Sequence, residues 1–185
     1  IKIEDLLFEL GGEVLHASTK PVLNIAIKGK DMNINSILSL IPKQYKRKIE
    51  EYKSTGEFYF NATIQGAFYD KESPQVVADF GMKNATIEQV KEKIVLNDVN
   101  LKGHYTNGAT DKHQSSELTL LPFSARIKNE HIQGELSIIN LNNPSVNGKI
   151  KADFNLADLQ HFVKIDTIDR ISGQIVIDAV FKADN

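Results

Sequence analysis

The sequence predicts a mainly β fold: a curved antiparallel sheet, or β-groove, built from a repeated strand–helix–strand unit. Three observations predict it. Apolar and polar residues alternate with period two through most of the chain. Turn signals punctuate that alternation. Two stretches of helical spacing interrupt it at matching places.

The alternation is explicit. Leu23, Ile25 and Ile27 share one face of an extended segment, and Asn24, Ala26 and Lys28 share the other. Phe58, Phe60, Ala62 and Ile64 alternate with Glu57, Tyr59, Asn61 and Thr63. Val76, Ala78, Phe80 and Met82 make a further apolar line, and so do Val99, Leu101 and Tyr105. Leu118 with Leu120, and Ile132 with Leu136 and Ile138, continue the pattern. Ile150, Ala152 and Phe154 follow, then Ile175, Ile177, Ala179 and Phe181. Each run suits a sheet with one apolar and one polar face. Asn107-Gly108 reads as a turn, and Ser73-Pro74, Leu121-Pro122 and Asn143-Pro144 as breaks or strand starts. About a dozen short strands are expected.

Two segments depart from the alternation. In 35–41, Ile37, Leu38, Leu40 and Ile41 take helical spacing after a cap at Asn33 or Asn35, and a polar helix continues from Lys43 to Tyr52. In 156–163, Leu156, Leu159, Phe162 and Val163 gather on one stripe after Asp153 or Asn155. These segments anchor an internal repeat, spanning approximately 12–66 and 134–182. Gly12-Glu13-Val14 resembles Gly134-Glu135-Leu136, and Pro21 lies nearly where Pro144 lies in the second copy. Met32-Asn33-Ile34 matches Phe154-Asn155-Leu156, and the strand led by Gly56 matches the strand led by Gly173. The first copy carries a few extra residues after its helix. Repeats of this kind favour an extended architecture with open ends.

Composition bounds the function. The 185 residues suffice for one module with a core, taken as residues 1–185. The chain opens Ile1-Lys2-Ile3 without an initiator Met, which reads as a segment of something longer. A net charge of −2, no Trp and 8% aromatic residues argue against a nucleic-acid binder. Absence of cysteine excludes disulfides, thiol catalysis and Cys-type zinc sites. The five histidines show no HxxxH or HxH spacing, so no metal site is expected. His16, His104 and His131 fall in expected strands. No GxSxG, GxGxxG or phosphate-loop sequence occurs. The chain is therefore read as having no catalytic residue and no cofactor.

Two features have both a functional and a plain reading. Lys43, Lys46, Arg47 and Lys48, with Lys53, form a basic cluster that would suit anionic lipid headgroups or simply a solvated helix face. The apolar residues Phe58, Phe60, Ile64, Phe80, Ile150, Phe154, Ile175 and Ile177 would line a groove for acyl chains or close into a dry core. Both readings require the same alternation.

Several stretches also occur in a telling order. They are Ile27 to Leu38, Gly56 to Gly66, Ser73 to Val76 with Asp79-Phe80, Leu96 to Gly103, and Ala152 to Leu159. Together they are spread along most of the chain, from Ile27 to Leu159. Their order resembles the AsmA-like proteins of Gram-negative envelopes, in particular the C-terminal region of Bacteroidetes-type outer-membrane assembly proteins, which are related to TamB-like β-groove proteins. The resemblance implies a long groove protein in the periplasm, tethered to the inner membrane through a segment not present here. It implies a role in outer-membrane biogenesis, shielding or moving lipid acyl chains. Its implied partners are phospholipid acyl chains, neighbouring segments of the same protein and envelope proteins. A different expectation treats the module as structural, with a dry core and strand ends that recruit a partner.

Overall fold

The computed structural model describes residues 2–3, 6–16, 18–34, 51–69, 72–91, 93–108, 116–155 and 172–184. They form ten strands: β1 (Lys2–Ile3), β2 (Leu6–Leu15), β3 (Val22–Asn33), β4 (Tyr52–Ala67), β5 (Gln75–Gln89), β6 (Ile94–Thr106), β7 (Glu117–Ile127), β8 (Glu130–Ile139), β9 (Ser145–Asn155) and β10 (Gln174–Asp184). Their spatial order is their chain order, and every pairing is antiparallel. The sheet is open: β1 and β10 do not pair. Apart from β1 the strands run 10 to 16 residues, so they are fewer and longer than the sequence suggested.

Bulges explain the discrepancy. The alternation slips by one residue between Gly29 and Met32 in β3, between Met82 and Ala85 in β5, and between Leu120 and Phe123 in β7. A further slip lies between Leu96 and Val99 in β6. Asp31, Asn84 and Asp98 at these places have φ of 52°, 47° and 50°, a left-handed conformation that Asn and Asp tolerate best after glycine. Side chains stitch the bulges together. The Asn84 amide donates to Asn100 Oδ1 at 3.1 Å, Asn100 Nδ2 donates to the Asp98 carbonyl at 2.8 Å, and Arg126 Nε donates to the Asp98 carboxylate at 2.6 Å. Leu121-Pro122, expected as a break, lies inside β7 at its bulge.

Glycines and phenyl rings form a second device. A Cβ at Gly29 would run into Met32 and Phe60, at Gly103 into Phe80, at Gly134 into Phe123 and the Lys149 carbonyl, and at Gly148 into Phe181. Each glycine therefore accepts a ring from the neighbouring strand over its bare backbone, a pairing that pins register in twisted sheets.

Connections complete the meander. Residues 34–51 join β3 to β4 and residues 156–173 join β9 to β10, eighteen residues in each case. Both leave from the same end of the sheet, because β3 and β9 run in the same direction. The expected helices at 35–50 and 156–163 lie outside the described residues, and with them Lys43, Lys46, Arg47 and Lys48. Ile34, the last described residue before them, has helical backbone. Tyr52 and Lys53, expected to end a helix, instead begin β4 and pair with Gln89 and Glu88. The extra residues expected after the first helix thus fall within β4 and not in the connection. Asn107 makes no tight hairpin. Its side chain accepts from the Val76 amide at 2.7 Å and donates to the Pro74 carbonyl at 2.9 Å, holding the end of β6 against the start of β5. His104 and His131 lie in strands, whereas His16 follows β2 at φ 52°.

A small core occupies the end of the sheet nearest the two long connections. Ile34 packs with Ala85, Val99 and Ala125, and Phe58, Met82, Ile87, Leu96 and Leu101 surround this cluster.

Candidate functional site: an apolar sheet face

Residues directly opposite one another in a sheet point to the same side. The register therefore defines each face row by row. One row is Leu10, Ile27, Ala62, Ala78, Tyr105, Leu118, Ile138, Val146 and Ala183, across β2 to β10. The next is Phe8, Gly29, Phe60, Phe80, Gly103, Leu120, Leu136, Gly148 and Phe181. The third is Met32, Phe58, Met82, Leu101, Phe123, Gly134, Ile150 and Ala179, across β3 to β10. Across these three rows the only side-chain polar atom, apart from methionine sulfur, is the Tyr105 hydroxyl. Eight inter-strand steps of about 4.8 Å make the longer rows roughly 38 Å.

The bulges make this continuity possible. Without the slip in β3, Met32 would point to the opposite side from Gly29. Without the slip in β7, Phe123 would leave the face that Leu120 occupies.

All eight apolar residues singled out from sequence lie on this face, in two groups. Phe58, Phe60 and Phe80 are neighbours, with ring centroids 6.2 Å apart for Phe58–Phe60 and 6.3 Å for Phe58–Phe80. Ile64 sits four residues beyond Phe60 along β4, opposite Ile25 and Val76. Ile150, Phe154, Ile175 and Ile177 form the second group on β9 and β10, where Phe154 is directly opposite Ile175. Strands β6 to β8 lie between the groups. Phe8 and Phe123 belong to the same surface and were not anticipated. Phe8, whose ring centroid lies 6.1 Å from that of Phe60, follows two leucines that blur the alternation. Phe123 directly follows Pro122, so it read as part of a break.

Coverage of the face is uneven. Ala85 has 0% of its surface exposed, and Val99, Ala125 and Ala152 are buried with it near one end. Leu10 is 52% exposed, and Val14, Ile175 and Phe181 are exposed too. The middle rows are half-buried.

The opposite face is polar. Its central row reads Glu9, Lys28, Asn61, Asp79, His104, Thr119, Ser137, Asn147 and Lys182. His104 Nδ1 lies 2.7 Å from Asp79 Oδ1, and Lys151 Nζ lies 3.1 Å from Asp178 Oδ2. Gln174 Nε2 donates to Asp153 at 2.7 Å. The Lys83 ammonium sits 5.4 Å from the Tyr59 ring centroid. One open hollow of about 590 Å3 on this side is bordered by Lys28, Lys30, Glu57, Asp79, Lys83 and Lys102. Its mixed charges offer no single-sign pocket. Among the described residues no group of three or more His, Cys, Asp or Glu side chains is placed to hold a metal ion. No helix among them is long and apolar enough to cross a membrane.

What the arrangement can do chemically follows from these two surfaces. The polar face is laced with exposed ion pairs. The apolar face offers dispersion and hydrophobic contact over a long path, with almost nothing to recognise a polar headgroup. Comparison with family models, with curated proteins and with solved structures finds no match to this chain.

Proposed function

We propose that this chain is a non-catalytic module that shields or transfers lipid acyl chains along its apolar sheet face. In this reading it is a periplasmic segment of an AsmA-like protein in outer-membrane biogenesis, tethered to the inner membrane through a segment outside this chain. One observation carries the proposal: three consecutive apolar rows cross eight or nine strands of an open sheet and are only half-buried. A closed core would bury its phenyl rings, at roughly 1.5–3 kcal/mol per large side chain. Rings left half-buried retain apolar surface for a ligand of the same chemistry.

The repeated strand–helix–strand unit belongs to the same proposal. Equal connections of eighteen residues between β3 and β4, and between β9 and β10, support it. The basic residues Lys43, Lys46, Arg47 and Lys48 would then meet headgroups.

The test is direct. The purified 185-residue chain is extracted with organic solvent, the extract is examined by mass spectrometry, and the delipidated chain is titrated with a fluorescent fatty acid. Co-purified phospholipid and saturable probe binding are expected, with Phe60→Asp weakening the probe about tenfold while the far-UV circular dichroism stays β. An empty extract together with no probe binding would overturn the proposal.

A further inference from the structure

The three apolar rows hold one hydroxyl, and nothing in the sheet claims it. Tyr105 stands on β6 between Ala78 of β5 and Leu118 of β7, and is half-buried. Neither neighbour carries a side-chain group that the hydroxyl could bond. Polar side chains begin just past it, where β6 ends and β7 begins, but these are engaged. Asn107 uses both ends of its amide on Val76 and Pro74. Ser116 is buried, and its Oγ accepts from the Leu141 amide at 2.9 Å. Among the described residues the Tyr105 hydroxyl has no hydrogen-bond partner, and it is not sealed from solvent. Tyrosine combines an apolar body with a polar tip that seeks a partner. Packing alone would be served by phenylalanine, which β4 and β5 use at Phe60 and Phe80.

We propose, resting on the acyl-chain reading of this face, that the Tyr105 hydroxyl donates to the carbonyl oxygen of an acyl ester. It thereby fixes where the polar end of the lipid lies. An ester accepts hydrogen bonds and has none to give, and a tyrosine hydroxyl is a donor. The remaining side chains of the three rows offer the ester nothing, so a carbonyl placed elsewhere on them would lose its water without replacement.

The place of Tyr105 in the sheet fits this role. It is the central residue of its row, with four strands on either side. A chain lying across the strands from the hydroxyl has four steps of about 4.8 Å, roughly 19 Å, in either direction. One leaflet of a bilayer holds its chains in about 15 Å, half of the hydrocarbon core. Each half of the row is therefore long enough for one acyl chain. Leu10, Ile27, Ala62 and Ala78 line one half, and Leu118, Ile138, Val146 and Ala183 the other. Neither half contains a second polar side-chain atom.

Two pyrene probes with the same alkyl chain test the proposal, one ending in a methyl ester and the other in plain hydrocarbon. Binding of each to the 185-residue chain is followed by fluorescence. Tyr105→Phe should lose about fivefold in affinity for the ester and nothing for the hydrocarbon, the size of one hydrogen bond. The infrared carbonyl stretch of the bound ester should lie at lower frequency on the native chain than on Tyr105→Phe. Tyr59→Phe, on the polar face, should change neither probe. An equal loss on both probes would mean that the ring only packs, and would overturn the proposal. So would an unshifted carbonyl on the native chain, which needs no variant to be read. An ester affinity unchanged in Tyr105→Phe would overturn it while leaving the acyl-chain reading in place. Binding of neither probe by the native chain would overturn both together.

Discussion

Two neighbouring rows of the same sheet differ by one residue in every strand and in nearly everything else. Phe8, Gly29, Phe60, Phe80, Gly103, Leu120, Leu136, Gly148 and Phe181 form one. Glu9, Lys28, Asn61, Asp79, His104, Thr119, Ser137, Asn147 and Lys182 form the other, on the opposite face. The backbone hydrogen bonds are shared, so they cannot explain why this register wins over a slipped one. The side chains do. A one-residue slip in β2, β5 or β10 would exchange a phenyl ring for a charge on each face, and a slip in any other strand would set a polar side chain on the apolar face. The apolar face therefore both fixes the register and provides the surface proposed to hold lipid.

The largest test of that contrast is a carboxylate on each side. Ala85→Asp places one at a position with no exposure, and a loss of about 4 kcal/mol or more in urea unfolding is expected, or failure to fold. Ser137→Asp, on the polar face between Thr119 and Asn147, should change stability by no more than about 1 kcal/mol. Next comes one substitution at two glycines. Gly103→Val drives a side chain into the Phe80 ring and should cost about 2–3 kcal/mol. Gly11→Val, on the polar face where a Cβ would meet nothing within 4 Å, should be neutral or gain a few tenths. Equal costs at the two glycines would remove the role assigned to the ring–glycine pairs.

Phe60→Ala strips the cover from Gly29 and ends the ring contacts with Phe8 and Phe58. A loss of about 1.5–2 kcal/mol is expected by thermal or urea unfolding, below the full-burial figure because the ring is half-buried. The smallest effect belongs to Asp79→Ala. It breaks the exposed pair with His104, and unfolding should shift by less than about 1 kcal/mol.

Much of this contrast was legible in the sequence, and the exceptions have one physical cause. Every alternating run read from residue order lands on the apolar face, from Leu23–Ile27 on β3 to Ile175–Phe181 on β10. Alternation is local, so it reports faces well. It fails where a strand changes phase. The slips after Gly29, Met82 and Leu120 make one long strand look like two short ones, which is how ten strands read as about a dozen. They also hid Phe123, which rejoins the face only because Leu121 and Pro122 bulge out of the ladder. Asn107 misled for a related reason. Asn-Gly favours a tight turn locally, but the Asn107 side chain bonds instead to Val76 and Pro74, 31 and 33 residues away in sequence and adjacent in space.

The bulges stitched by Asn84, Asn100, Asp98 and Arg126 have a consequence for how such a chain can vary in length. One residue lost within β5 between the start of the strand and Met82 inverts everything from there to the nearer strand end. The same loss at Asn84 removes an extra residue already present, so Met82 and Ala85 keep their partners and their side of the sheet. Insertions and deletions in relatives of this sheet should therefore gather along the diagonal of bulges and in the connections, leaving the apolar rows at constant length.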